Sequence, residues 1–309
     1  MFDVSVVVVS WNARRHLIEC LKSIEDTTSG LSLEIIVVDN ASSDGSDGAV
    51  AEHFPHVKLI RNRDNLGFAA ANNVAIREST GRYICLINSD VIVLPGCIGN
   101  LVDHMNHYPH IGIAGPRVLN PDGTLQPTAR PFPTLRTYLS SALALPRLSR
   151  QSASGRHLHT TDSTHDKPTK SDWLTGCFWI VRREALEKVG LLDEAFFMYA
   201  EDLDWCRRFW QASWDVALFA TAEAIHFGGA SSDNKPVWAY VEYRTASRRA
   251  WKKHHSRISL VGYSSIAFLH ELVHLCVAAV QYVTCRPARN DVVNRIKRHA
   301  SCIRGALFG

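Results

Sequence analysis

Along the first hundred residues, unbroken apolar runs alternate with stretches whose apolar positions recur every three or four residues. "VSVVVVS" (4–10) reads as a buried strand. "ARRHLIECLKSIEDT" (13–27) then sets Leu17, Cys20, Leu21 and Ile24 at helical spacing. "LEIIVVDNAS" and the shorter "VKLIRN" predict two more strands, "LGFAAANNVAIREST" an Ala-rich helix stopped by Gly81, and "RYICLINSD" a fourth strand. "PGCIGNLVDHMNHY" opens on Pro95, which a helix accepts in its first turn. Strands separated by helices in this way predict right-handed βαβ units: a Rossmann-like α/β fold with a mostly parallel central sheet flanked by helices.

Polar residues collect where these strands stop: Ser10-Trp11-Asn12, Asp39-Asn40, Arg61-Asn62 and Asn88-Ser89-Asp90. In an open parallel sheet, ligands sit beyond the carboxyl ends of the strands. Any one such end could simply start a turn or cap a helix, since Asp and Asn do both. Four at one edge point to a shared crevice. The sharpest case is "YICLINSDVIV" (83–93), an apolar run interrupted by Asn88-Ser89-Asp90 before it resumes.

The later half is less regular. "GRHLHTTDSTHDKPTKSD" (155–172) is polar and aperiodic, the pattern of a mobile loop. Structure resumes at "WLTGCFWIVRREALEKVG". "EAFFMYAEDLDWCRRFWQAS" then predicts a helix with Glu201 and Asp202 at its start, and "WDVALFATAEAIHFGG" a strand, a loop, and His226 before paired glycines.

Charge adds a boundary. The chain carries +4, but residues 236–309 hold twelve Lys and Arg against three acids, a charge of +9 that leaves −5 for residues 1–235. Such asymmetry predicts a tail that meets an anionic surface. Within it, "IAFLHELVHLCVAAVQYV" (266–283) has eighteen residues and one formal charge, close to the threshold for a spanning helix. Its polar residues His270, Glu271, His274 and Gln281 share one helical face with Ala267 and Ala278. Spanning would bury Glu271 in lipid. A helix lying in the membrane interface, covering the N-terminal domain or forming a homodimer avoids that. Eight cysteines stand singly, without metal-ligand spacing, and "MFDVSVVVVSWN" lacks the basic start of a signal peptide. Both predict reduced thiols and a cytoplasmic protein.

Candidate chemistry follows from the strand ends. An acid facing such a crevice is a hard-cation ligand, and Mg²⁺ or Mn²⁺ commonly bridges carboxylates and substrate phosphates. Asp90 is the first candidate. His226, beside glycines that permit close backbone approach, is the second, although a lone His is as readily a satisfied polar residue. Glu201 and Asp202, at a predicted helix N-terminus where the dipole favours their ionised form, suit a general base as well as a cap.

The segments "VSVVVVSWN", "IIVVDNASSDGS", "NLGFAAANN", "LINSD", "WLTGCFWIVRREAL" and "FFMYAEDLDWCRR" stand in the order found in family 2 glycosyltransferases. Over residues 3–235 the chain resembles the bacterial branch that includes rhamnosyltransferases. The resemblance implies a GT-A fold in residues 1–235: a nucleotide-sugar-binding half (about 1–115) and an acceptor-binding half (116–235), with 236–309 as a basic helical C-terminal extension. It implies that Asp39 contacts the nucleotide base and that Asn65 and Gly67 lie against the nucleotide-sugar, with Ser10, Asn12, Asn72, Ser89 and Asp90 completing the donor side. Asn88-Ser89-Asp90 stands where the family has D-x-D, Asp90 matching the metal-binding acid and His226 a metal-ligating His of some relatives. Asn88 departs from the first Asp and leaves one fewer charge on the cation. Asp202 matches the catalytic base, Glu201 its acidic neighbour, and Trp173, Gly176 and Arg208 fall on the acceptor side.

The expected reaction moves a sugar, L-rhamnose from dTDP-L-rhamnose, to a hydroxyl of a glycan or lipid-linked glycan in cell-surface polysaccharide synthesis, with inversion. UDP-sugar chemistry of the galactofuranosyl or glucosyl type is the alternative, and a silent GT-A scaffold a further one. A nucleotidyltransferase would need a Gly-rich basic loop after the first strand, where this chain reads "SWNARRHL". Expected partners are the nucleotide-sugar, the acceptor, a divalent cation, Mg²⁺ or Mn²⁺, and an anionic membrane surface met from the cytoplasmic side through 236–309. No nucleic-acid motif accompanies the basic tail.

Overall fold

The computed structural model describes residues 2–143, 167–228, 237–284 and 289–308. Residues 155–166 of the polar segment expected to be a loop lie outside the described residues; beyond them Thr169–Lys170 is already a short strand. The chain divides into two compact units: Met1–Phe132, His157–Phe197 and Glu201–Gly228 form the first, and Pro133–Arg156, Met198–Ala200 and Gly229–Gly309 the second.

The first unit is a mixed α/β structure. Its strands are β1 (Val4–Ser10), β2 (Leu33–Asp39), β3 (Lys58–Arg61), β4 (Tyr83–Asn88), β5 (Val91–Val93), β6 (Ile111–Leu119), β7 (Leu125–Gln126), β8 (Ala129–Arg130), β9 (Thr169–Lys170), β10 (Trp173–Leu174), β11 (Phe178–Arg182) and β12 (Asp215–His226). Its helices are α1 (Arg14–Thr27), α2 (Ser46–His53), α3 (Gly67–Glu78), α4 (Cys97–His107), α6 (Arg183–Val189) and α7 (Glu201–Gln211), α5 (Leu135–Leu143) belonging to the second unit. One sheet runs β3-β2-β1-β4-β11-β6-β12-β5, with β7 on β6 and β9 on β12, while β8 and β10 pair separately.

The expected βαβ half is present: β3, β2, β1 and β4 are all parallel. Val6 and Val8 face the layer of Leu17, Leu21, Ile24 and Ile98, whereas Val7 faces that of Ala69, Ala75, Trp179 and Trp205. Both faces are covered, which is why β1 is apolar throughout instead of alternating. The register sets Ser10 beside Asp39, Asp39 beside Arg61 and Val9 beside Asn88, so the four polar strand ends lie level at one edge.

Three expectations change in detail. Pro95 lies outside α4, whose N-cap is Gly96 with φ 75°. No loop precedes His226: β12 runs on to it, absorbing a register shift between Phe219 and Glu223. The "YICLINSDVIV" stretch is two strands, with Ser89-Asp90 as the turn between them.

The second unit contains α5, α8 (Val237–His254), α9 (Arg257–Thr284) and α10 (Arg289–Phe308). The polar stripe of α9 faces into this unit. Glu271, 3% exposed, accepts from Arg244 Nε (2.8 Å), Tyr240 Oη (3.1 Å) and His299 Nδ1 (2.6 Å). Partners on α8 and α10 thus compensate its buried charge, as a buried carboxylate requires.

Gly67 shows how tightly the first unit closes. It has φ 79°, and an added Cβ would lie 2.3 Å from the Phe197 carbonyl oxygen, which accepts the Phe68 N–H at 2.7 Å. Gly67→Ala combines a left-handed backbone with overpacking and should lower stability by roughly 2–4 kcal/mol in chemical denaturation. Gly99→Ala, in α4 with open space around the position, should be neutral or stabilising by up to about 1 kcal/mol. Equal effects of the two would refute the close-approach account.

Candidate active site

At the level edge of the sheet, Ser10 and Asp39 sit side by side, 1% and 4% exposed. Asp39 Oδ2 accepts the Ser42 amide at 3.1 Å, but Asp39 Oδ1 and Ser10 Oγ are buried without a hydrogen-bond partner among the described residues. Unsatisfied buried oxygens are costly, so adjacent ones at a strand-end crevice suit a ligand that brings its own donors. Asn12, with φ 50°, binds the neighbouring loop by accepting the Ser43 amide at 2.8 Å while its own amide donates to Ser42 Oγ at 2.9 Å. The "DNASSDGS" segment is thereby held against the end of β1.

Asn65 and Gly67 form a turn built on Asn40, a residue the sequence placed at a strand end without a role. Asn40, 2% exposed, donates to Asn65 Oδ1 (2.7 Å) and accepts from Asn62 Nδ2 and the Leu66 amide, both at 3.0 Å. Asn65 Oδ1 also accepts the Gly67 amide at 2.9 Å. Asn72 is buried within α3, its amide donating to the Phe68 carbonyl at 2.9 Å. Its side chain is thus engaged in its own helix.

The second cluster gathers at Ser89-Asp90. Because β5 pairs with the last residues of β12, His226 is opposite Val91, and its side chain meets Asp90: Nε2 to Oδ1 is 3.2 Å. Asp90 Oδ2 accepts the Gly228 amide at 3.1 Å, and Asn88 Nδ2 is 3.5 Å from His226 Nε2. Burial alone would raise the Asp90 carboxyl, but the hydrogen bond and charge of His226 outweigh it and hold it below its ordinary range. Gln126, which carries no sequence signal, orients the imidazole. Its Nε2 donates to Asn120 Oδ1 (2.8 Å) and to the His226 carbonyl (3.3 Å), so its Oε1 faces His226 Nδ1 at 2.6 Å. An amide oxygen only accepts, so Nδ1 carries hydrogen and Nε2 is turned toward Asp90.

This pair fits a divalent cation. Their 3.2 Å separation is close to the ~3 Å between adjacent ligands at ~2.1 Å bond lengths. Among the described residues no group of three His, Cys, Asp or Glu forms a metal cage. A cation here would therefore take its remaining ligands from substrate oxygens and water, the usual habit of Mg²⁺.

The third cluster surrounds Asp202 at the start of α7. Tyr199 (φ 70°) and Ala200 (φ 64°) precede it in left-handed backbone, and Glu201 is 6% exposed. Asp202 Oδ1 accepts the Leu203 amide at 2.8 Å. Burial pushes its carboxyl up to about 6, while the Leu203 and Gly176 amides and the positive charge of Arg130 hold it back. Gly176 therefore stands with the expected base. Trp173 is paired in register with Arg130, whose guanidinium lies over its ring at 5.7 Å. Arg130 Nε is buried without a hydrogen-bond partner among the described residues. Nothing in "QPTARPF" announced it.

Arg208, expected on the acceptor side, donates to Asp204 Oδ2 (3.0 Å) and to the carbonyls of Val189 (3.1 Å) and Leu191 (2.8 Å). It fastens α7 to the end of α6.

Comparison with known proteins bears on the family and the fold. The profile for "Glycosyl transferase family 2" matches residues 5–190. The chain is 30% identical over 243 residues, 75% of its length and 78% of the relative's, to N-acetylglucosaminyl-diphospho-decaprenol L-rhamnosyltransferase of Mycobacterium tuberculosis. It is 25% identical over 242 residues, 76% of its length and 68% of the relative's, to the low-salt glycan biosynthesis hexosyltransferase Agl10 of Haloferax volcanii. Among solved structures, GalNAc-T7 with UDP, GalNAc and Mn²⁺ superposes with a TM-score of 0.62 at 15% identity, over 99% of this chain and 57% of that one. The mannosyltransferase PcManGT of Pyrobaculum calidifontis, with GDP-Man and Mn²⁺, gives 0.55 at 16% identity over 98% and 87%. These two likenesses show the GT-A fold.

The elevated Asp202 carboxyl is directly measurable. Carboxyl-detected NMR should contain a side-chain resonance that titrates near pH 6 and is missing from Asp202→Asn. A spectrum in which every carboxyl titrates in the ordinary range would contradict the burial argument.

Proposed function

The chain belongs to glycosyl transferase family 2, and from that premise we propose that it transfers L-rhamnose from dTDP-L-rhamnose to a hydroxyl of a lipid-linked glycan, inverting the anomeric carbon. The observation that carries the sugar assignment is the rhamnosyltransferase relative, 30% identical over three quarters of the chain. The reaction class is glycosyl transfer in any case.

In this reading Ser10 Oγ and Asp39 Oδ1 take donors from the base and ribose of the nucleotide. Asp90 and His226 would hold the cation, which would supply positive charge beside the leaving diphosphate. Divalent-cation use is supported by the Mn²⁺ in both solved GT-A relatives. Asp202 takes the proton of the acceptor hydroxyl while its oxygen bonds to C1 and the C1–diphosphate bond breaks. One base and no protein nucleophile make a single displacement, which inverts. A carboxylate raised to about 6 is a stronger base than an ordinary Asp and still ionised at neutral pH. Trp173, Gly176 and Arg130 border the acceptor. A lipid-linked acceptor sets this work at the cytoplasmic face of the membrane, with the protein peripheral. UDP-sugar use is the second reading, favoured by the UDP bound in GalNAc-T7.

Turnover with a panel of radiolabelled nucleotide-sugars tests the donor: dTDP-L-rhamnose should exceed every UDP-sugar in kcat/KM, and the reverse order would overturn the assignment. Asp202→Asn should lower kcat by roughly a hundredfold or more, with donor binding little changed. In the parent, kcat/KM should fall about tenfold per pH unit below about 6, because the carboxylate must be unprotonated to accept a proton. Near-native turnover of Asp202→Asn would remove the base assignment. Asp90→Ala should abolish metal-supported donor binding and His226→Ala weaken it, read by calorimetry with and without EDTA. Full activity in excess EDTA would take the cation out of the reaction.

A further inference from the structure

Helix α9 is amphipathic in the reverse of the ordinary sense. Tyr263, Glu271 and Ala278 are 2–3% exposed and face the interior of their unit, where Glu271 meets Tyr240 and Arg244 of α8 and His299 of α10. The opposite face is apolar and exposed: Ile258 is 87% exposed, Val261 66%, Leu269 50% and Leu272 40%. Gaps of three and eight residues keep these positions on one side of the helix. The same three helices carry exposed cations: Lys252 and Lys253 near the end of α8, Arg257 at the first turn of α9, and Lys297 on α10.

We infer that this apolar stripe is a membrane-docking surface, with α9 lying flat in the headgroup region of an anionic bilayer. Length and hydropathy would also allow Arg257–Tyr282 to cross a membrane. The Glu271 network argues against crossing, because it would draw Arg244 and His299 into hydrocarbon with the glutamate or break the pairing. Lying flat buries the stripe and leaves the network inside the protein. Charge selects lipid over a second copy of the chain. Residues 236–309 carry +9, so two such units face to face would repel, whereas an anionic surface complements the same charge. Docking would serve a lipid-linked acceptor, but it rests on the surface of α9 and not on which sugar is transferred.

Flotation of the full chain with vesicles, without donor or acceptor, tests this separately from catalysis. Binding to phosphatidylcholine vesicles containing phosphatidylglycerol should exceed binding to phosphatidylcholine alone and weaken at high salt. The triple variant Lys252→Glu, Arg257→Glu, Lys297→Glu should lose roughly tenfold or more in partitioning. Ile258→Glu with Leu269→Glu should abolish binding while the thermal midpoint stays unchanged, since both side chains point outward. Three results would each overturn the inference: equal binding to neutral and anionic vesicles, retention of protein after alkaline carbonate extraction (a spanning helix), or a dimer in solution that the Ile258 and Leu269 changes dissolve without altering lipid binding.

Discussion

Val91–Val93 pairs antiparallel with Ala224–His226, two residues after the chain has left β4 in the middle of the sheet. This backbone pairing joins the far edge strand to the carboxyl end of the parallel half. Asp90 lies in the link, and the Phe227 amide donates to its carbonyl at 3.0 Å. A carboxylate in the middle of an apolar run is tolerated because the link is a turn. It is useful because the turn is where β12 delivers His226. Without that pairing, Asp90 and His226 would not share a site.

Two carboxylates at the site are moved in opposite directions by their surroundings. Asp90 is partly buried too, but the hydrogen bonds from His226 and the amides around it favour its charge. At Asp202 burial dominates and the nearby donors only moderate it. In the proposed reaction such a pair would divide labour: one group an anion that a cation can use, the other with added basicity for proton transfer. At Ser10 and Asp39 too, buried oxygens have no partner among the described residues, which suits a ligand that brings donors.

In the second unit the polar atoms turn inward and the apolar ones outward on α9, the inverse of what water as the sole solvent favours. The inward network of Glu271, Arg244, Tyr240 and His299 joins three helices through charge-assisted hydrogen bonds. It sets which face of α9 remains outside.

The amino-acid sequence by itself determined the alternation of strands and helices in the parallel half, the polar ends of its strands and the family, because those signals are local: apolar period, turn chemistry and contiguous motifs. Leu17, Cys20, Leu21 and Ile24 are all buried on α1, as their spacing alone implies. It also marked Asp90, Asp202 and His226 as bearers of chemistry. Only the tertiary structure decided how they are set. Gln126 reaches His226 across 100 residues, Arg130 acts on Asp202 from another strand, and Arg208 is spent on two backbone carbonyls and Asp204. The polar stripe of α9 was equally visible in sequence, but whether it met water, lipid or protein was not. A helical period reports that two faces differ, and only the partners packed against one of them say which faces inward.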